Sequence, residues 1–137
     1  MWRPLMLIVL VAVPLVALLV AVMASVLING DVPTAEALRQ SERGVMLVDV
    51  RSHWERDRSA VPGSLHAPWR NVVTHLRRAD VGLDQPLIVY CMAGPRARWA
   101  ATRLQQAGFT EVRELRGGHA DLARRSLGSR SADGDAP

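Results

Sequence analysis

The chain has 137 residues. The residues that follow the uncharged stretch 4–28 suffice for one compact domain and not for two. Its formal net charge is +4, its 17 basic residues are all arginine, and no run of five or more like charges occurs. The aromatic residues that could stack on bases are one Phe, one Tyr and four scattered Trp. Without a clustered basic patch, this pattern argues against a nucleic-acid-binding protein. A single cysteine excludes an intrachain disulfide, and the four histidines lack the paired spacing of a zinc site.

The amino-terminal segment predicts a membrane anchor. Residues 4–28 contain no charged residue, and about 20 apolar residues suffice for a helix to cross a bilayer core. The run is longer than the apolar region of a signal peptide, which favours an uncleaved anchor over 1–28. The small residues near 22–24 leave a cleaved leader as the alternative. Because the amino end is basic, we expect a single-pass protein of the inner membrane with its domain on the periplasmic side.

The first half of the remaining chain predicts alternating elements after a linker over 29–33. A helix over 35–42 ends at Gly44, and the apolar, β-branched run 45–50 predicts a buried strand. Up to residue 79 we expect a helical turn over 52–59, a Pro-Gly turn at 61–64, a short strand over 65–68 and a helix over 71–79.

The second half predicts strands over 87–91 and 111–115, helices over 96–107 and 119–127, and a disordered tail over 128–137. The alternation predicts an α/β domain over 29–127 whose mostly parallel sheet carries helices on both faces. Ligands of such sheets bind at the carboxyl ends of the strands. Asp49, Arg51 and Cys91 all fall at such ends, so the chemistry is expected there.

The loop "CMAGPR", residues 91–96, comes after a predicted strand and leads directly into a predicted helix. A helix amino end has unpaired N–H groups and a partial positive charge, which favour the anionic form of a thiol. Successive N–H groups curling around the sulfur of Cys91 would form a cradle for an anion, and Gly94 permits the backbone shape required. Arg96 adds donors suited to an oxyanion. We therefore interpret Cys91 as a reactive thiol and not as a small core residue.

Four motifs carry a family resemblance: "LVDVRSHWE" at 47–55, "VPGSLHAP" at 61–68, "YCMAGPRA" at 90–97 and "GFTEVRELRGG" at 108–118. Together, over about 34–125, they resemble the single-domain rhodanese sulfurtransferases, and the leader makes the chain similar to small exported bacterial members. The resemblance implies a three-layer rhodanese-like α/β fold. It also implies transfer of sulfane sulfur from a thiosulfate-like donor to a thiol or cyanide-like acceptor, with no metal or organic cofactor.

The resemblance assigns roles to particular residues. Cys91 is the nucleophile that carries the sulfur as a persulfide, and Asp49 and Arg51 support the neighbouring loops. Substrate or oxyanion binding falls to Met92, Ala93, Gly94, Arg96 and Ala97. The chain also departs from the family pattern. It has Ser59 and Ala60 in place of Gly-His, Arg56 in place of an aromatic residue, Leu122 in place of Trp, and a proline without an N–H at position 95.

Two other interpretations of the loop stay open. A dual-specificity phosphatase or an arsenate reductase needs five residues between cysteine and arginine, whereas Cys91 and Arg96 enclose four. The second alternative is a non-catalytic, membrane-tethered module that docks partners or senses persulfide or redox state. Alkylation separates this class from a sulfur carrier, because a carrier thiolate reacts at low pH and a buried structural thiol does not react.

Overall fold

The computed structural model describes residues 2–28 and 31–133. The chain divides into two compact units, Met1–Gly30 and Asp31–Pro137. The first unit contains one long helix, α1, Arg3–Ile28, with Pro14 inside it. Among the described residues, no helix combines the length and the apolar character that crossing a membrane requires. The transmembrane anchor over 1–28 therefore stays a prediction.

The second unit alternates strands and helices along the chain, as predicted. Its strands are β1 Val32–Pro33, β2 Met46–Asp49, β3 Leu65–His66, β4 Leu87–Tyr90 and β5 Val112–Arg116. Its helices are α2 Thr34–Glu42, α3 His53–Arg58, α4 Val72–Arg78, α5 Pro95–Gln106 and α6 Gly118–Asp133, and a 3₁₀ turn over Trp69–Asn71 precedes α4.

The five strands form one sheet in the order β1-β5-β4-β2-β3, and every pairing is parallel. The predicted mostly parallel sheet is thereby confirmed. The structure adds β1, which the sequence assigned to the linker over 29–33; residues 29–30 lie outside the described part. A strand of two residues is too short to show the alternation of apolar and polar residues that indicates a strand in a sequence. Pro33 is tolerated because β1 lies at the edge of the sheet.

The core has two halves, one on each face of the sheet. All four residues of β4 are buried, as expected for a strand covered on both faces. Leu87 and Val89 join a cluster with residues of α4 and α5. Ile88 and Tyr90 join a second cluster with residues of α2 and α6, including the fully buried Leu122. The result is the three-layer α/β architecture that the sequence predicts.

The last helix differs from the prediction at its carboxyl end. α6 continues to Asp133, whereas the sequence predicted a helix ending at 127 and a disordered tail over 128–137. Gly128 lies inside the helix without adopting a positive φ. One interior glycine costs a helix only about 1 kcal/mol relative to alanine, which does not suffice to end it. Residues 134–137 of the predicted tail lie outside the described part.

Candidate active site

The carboxyl ends of β2 and β4 bring the predicted site residues together. Asp49 is the register partner of Tyr90, and the N–H of Val50 donates to the Tyr90 carbonyl at 3.0 Å. The segments that follow β2 and β4 therefore begin side by side. As a result, Arg51 and Cys91 emerge at the same edge of the sheet, where parallel α/β proteins bind their ligands.

The Cys91 thiol lies at the start of a loop that turns back over it. Cys91 is 1% exposed, and the backbone N–H of Gly94 donates to its Sγ at 3.0 Å. Gly94 adopts a φ of +113°, a conformation that side chains other than glycine's disfavour, and α5 begins at the next residue, Pro95. Of the other predicted binding residues, Met92 and Ala93 are exposed and Ala97 is buried in the core. The sulfur thus lies beside the amino end of a twelve-residue helix.

Arg96 is held by an ion pair that no local pattern in the sequence indicates. Its Nη1 and Nη2 donate to the two carboxylate oxygens of Glu55, each at 2.7 Å. Glu55 raises the pKa of Arg96, with smaller contributions from Cys91. The same hydrogen bonds lower the pKa of Glu55 from its usual 4.5 to about 2. Arg96 therefore approaches Cys91 with much of its charge balanced.

Glu55 also closes the amino end of α3. Its carboxylate accepts from the N–H of Ser52 at 2.9 Å, and the hydroxyl of Ser52 accepts from the N–H of Glu55 at 3.3 Å. This reciprocal arrangement is a capping box, which satisfies N–H groups that a helix leaves unpaired. One carboxylate therefore joins the start of α3 to the start of α5, across the loop that holds Cys91.

Replacing Glu55 with glutamine is expected to change how stability depends on pH. A carboxyl whose folded pKa is depressed stabilises the fold above its unfolded pKa, and that contribution disappears as the pH falls through the folded pKa. The free energy of unfolding of the wild type should thus fall between about pH 4.5 and about pH 2. Glu55→Gln should show a shallower fall there, since an amide does not titrate. Urea denaturation at stepped pH measures both, and equal slopes would contradict the assignment.

Asp49 and Arg51 form the buried base of the site. Their side chains are 0% and 1% exposed, and Arg51 donates from Nη2 and Nε to the two Asp49 oxygens at 2.7 and 3.0 Å. Arg51 also donates to the carbonyls of Ser59 at 2.6 Å and Glu55 at 3.3 Å. The guanidinium thereby attaches α3 and the residue after it to the end of β2. This geometry fits the supporting role that the sequence predicted.

The start of α6 forms the other wall of the loop. The N–H of His119 donates to the Cys91 carbonyl at 2.9 Å. A Cβ on Gly118 would lie 2.2 Å from the Met92 carbonyl oxygen, so a larger residue would push the loop away. In the sequence, Gly117 and Gly118 stood out only as the end of the motif at 108–118. Such a close approach between segments distant in the chain leaves no local pattern.

The His119 ring lies against Tyr90 and Ser59. It is 5% exposed, is stacked on Tyr90 with ring centroids 6.0 Å apart, and its Nε2 lies 3.1 Å from the Ser59 hydroxyl. Its Nδ1 has no hydrogen-bond partner within the described residues. Burial lowers the pKa of His119, with a further lowering from Arg51. The ring is therefore neutral near pH 7 and adds no positive charge to the site.

Within the described ranges, no group of three or more His, Cys, Asp and Glu side chains is arranged to hold a metal ion. The site contains one thiol, which lies at the amino end of a helix, and an arginine that is paired with Glu55. These features are typical of a cysteine-dependent group-transfer centre.

Comparison with known proteins agrees with this class. The rhodanese-like domain family matches residues 33–124. A thiosulfate sulfurtransferase GlpE of Pseudomonas syringae pv. syringae is 34% identical over 87 residues, covering 64% of this chain and 80% of that protein. Another GlpE, from Pseudomonas fluorescens, is 32% identical over 104 residues, covering 76% and 93%.

Solved structures share the fold. The reduced CoADR-RHD of Bacillus anthracis superposes with a TM-score of 0.61 at 28% identity, covering 75% of this chain and 18% of that one. The human single-domain sulfurtransferase TSTD1 gives a TM-score of 0.60 at 20% identity, covering 69% and 96%, a likeness that concerns the fold alone. The chain belongs to the rhodanese-like domain family. It is a rhodanese-type sulfurtransferase.

Proposed function

We propose that the protein carries sulfane sulfur as a persulfide on Cys91, from a thiosulfate-like donor to a thiophilic acceptor. The observation that carries this proposal is the position of the Cys91 sulfur at the amino end of α5, with the Gly94 N–H directed at it at 3.0 Å. Relatives at 32–34% identity named thiosulfate sulfurtransferase support the choice of donor.

In the first step, the Cys91 thiolate attacks the outer, sulfane sulfur of thiosulfate. A bond forms between Sγ and that sulfur, the sulfur–sulfur bond of thiosulfate breaks, and sulfite leaves with the bonding electron pair. The partial positive charge at the amino end of α5 and the Gly94 N–H stabilise the anionic sulfur throughout.

In the second step, an acceptor nucleophile attacks the outer sulfur of the persulfide. With cyanide, a carbon–sulfur bond forms, the sulfur–sulfur bond breaks, and Cys91 leaves as the thiolate that began the cycle. Neither step needs an oxidant or a cofactor, because the sulfur is transferred at a constant oxidation state.

Binding of the donor oxygens falls to the loop and to Arg96. An arginine has five N–H donors, and Arg96 directs two of its nitrogens at Glu55, so part of the fork stays available to an oxyanion. Pro95 contributes no N–H, since proline has none. A donor anion is therefore offered fewer N–H groups than a loop without proline would supply. It also meets less net positive charge than an unpaired arginine would provide.

Steady-state transfer from thiosulfate to cyanide by the full chain tests the proposal. A covalent carrier gives ping-pong kinetics, so the double-reciprocal plots should be parallel when thiosulfate is varied at several cyanide concentrations. Thiocyanate formation no faster than without protein, in a preparation with a folded spectrum, would refute catalysis. That result would favour the docking or sensing module.

We further propose that the chain is anchored in the inner membrane by residues 1–28, with the domain on the periplasmic side. The support is the uncharged stretch 4–28 and the basic Arg3 before it. Extraction of membranes with alkaline carbonate tests the anchor, and release of the protein into the supernatant would reject it.

A further inference from the structure

A groove opens beside the Cys91 loop, between α3 and the start of α6. The residues that line it include Trp54, Glu55, Arg58, Met92, His119 and Ala123. We call it the α3–α6 groove. Met92 follows Cys91 in the chain, and Glu55 pairs with Arg96, on which Cys91 also acts. The groove therefore lies next to the loop that holds the nucleophile.

The walls of the α3–α6 groove are largely carbon. Trp54 is 62% exposed and Met92 is 44% exposed, and Ala123 belongs to the wall formed by α6. Large apolar side chains left in solvent one at a time are ordinary on protein surfaces. Two that share one groove next to the Cys91 loop provide contact surface for a small carbon skeleton.

The charge of the groove is set by Arg58. The other charged side chains on its walls are matched: Glu55 pairs with Arg96, and Arg51 pairs with Asp49 in the interior. His119 is neutral near pH 7, because burial lowers its pKa. The Arg58 guanidinium lies over the Trp54 ring, 4.5 Å from its centroid, and pairs with no acidic side chain in the described part of the chain. The groove therefore presents one uncompensated positive charge at the edge of an apolar wall.

We propose that the α3–α6 groove binds the sulfur acceptor, a small organic thiol that carries a carboxylate. Arg58 binds the carboxylate, Trp54 and Met92 contact the carbon chain, and the sulfur of the acceptor reaches the persulfide on Cys91. This inference rests on the proposed persulfide function. A guanidinium over the face of an aromatic ring still has N–H groups to donate to a carboxylate, which suits this role.

The transfer step balances without a further reactant. The acceptor thiolate forms a bond to the outer sulfur of the Cys91 persulfide. The bond between that sulfur and Sγ breaks, and the electron pair leaves with Cys91 as the thiolate. The products are the persulfide of the acceptor and the enzyme in its starting form.

The test compares two acceptors of equal chain length, 3-mercaptopropionate and 3-mercapto-1-propanol, with thiosulfate as donor and the full chain as enzyme. The wild type should favour the acid, and Arg58→Gln should lower the ratio of kcat/KM for acid over alcohol about tenfold, mainly through KM for the acid. Arg58→Lys should restore part of the ratio. Arg70→Gln is the matched control, because Arg70 is stacked on Trp69 at 5.0 Å outside this groove, and it should keep the wild-type ratio.

An unchanged ratio in Arg58→Gln, or a wild type that favours the alcohol, would overturn the proposed groove. Cyanide serves as the reference acceptor, since it has neither carbon chain nor carboxylate. A wild type that transfers sulfur to cyanide but does not distinguish the two thiols refutes the groove alone. No transfer to cyanide refutes the proposed function itself.

Discussion

Replacing Cys91 with serine is expected to abolish sulfur transfer and to leave the fold intact. A serine oxygen cannot form a persulfide, and the chain has no second cysteine to replace it. Loss of a catalytic nucleophile costs at least about 10³-fold in kcat. The fold should persist, because serine is only slightly smaller than cysteine. The Gly94 N–H, which donates to Sγ in the wild type, can donate to the serine hydroxyl instead.

Thiocyanate formation from thiosulfate and cyanide measures the effect, with thermal unfolding as the control on the fold. Turnover by Cys91→Ser within tenfold of the wild type would place the reaction elsewhere. A variant that is both inactive and unfolded would leave the question to Cys91→Ala, which creates no new hydrogen bond and must then be inactive while folded.

Replacing Arg51 with alanine is expected to destabilise the domain by about 3–5 kcal/mol, the usual cost of removing one partner of a buried ion pair. Arg56, whose Nη1 lies 3.6 Å from Oδ2 of Asp49, would remain as a longer and more exposed partner. Asp49 is 0% exposed and would lose the donors at 2.7 and 3.0 Å, and the carbonyls of Ser59 and Glu55 would lose theirs. A domain is stable by about 5–15 kcal/mol, so this loss would bring a domain at the low end of that range close to unfolding at room temperature. Urea denaturation gives the free energy of unfolding.

Arg39→Ala is the matched control, because Arg39 pairs with Glu36 on the exposed face of α2. An exposed pair contributes about 0.3–0.5 kcal/mol, so this variant should remain close to the wild type. If Arg51→Ala cost no more than Arg39→Ala, the buried pair would not be the base of the site. Asp49→Ala combined with Arg51→Ala should cost less than the two single changes added, since neither Asp49 nor Arg51 is then left buried without the other.

The order of the main strands and helices could be predicted because each is indicated by a pattern within a short stretch of sequence. The apolar runs at β2 and β4 and the helical spacing of α5 are properties of short segments, and all three lie where the sequence placed them. Cys91, Asp49 and Arg51 reached one edge because parallel strands must align their carboxyl ends. The two-residue β1 and the far end of α6 carry weaker local signals and were misassigned.

The partners in the site could not be predicted in the same way. Glu55 lies 41 positions from Arg96, and His119 lies 60 positions from Ser59, and no periodicity connects such pairs. One signal was available. Ser52 and Glu55 have the spacing of a capping box, which would have placed Glu55 at a helix start.

Cys91 is expected to hold the transferred sulfur, and the mass of the intact chain shows whether it does. After incubation with thiosulfate and removal of the excess donor, the mass of the chain should be higher by one sulfur atom. That sulfur should be located on the peptide that contains Cys91. Addition of cyanide should remove that mass and release one equivalent of thiocyanate. An unchanged mass in a chain that nonetheless forms thiocyanate, or an added sulfur that cyanide does not remove, would contradict a persulfide carrier.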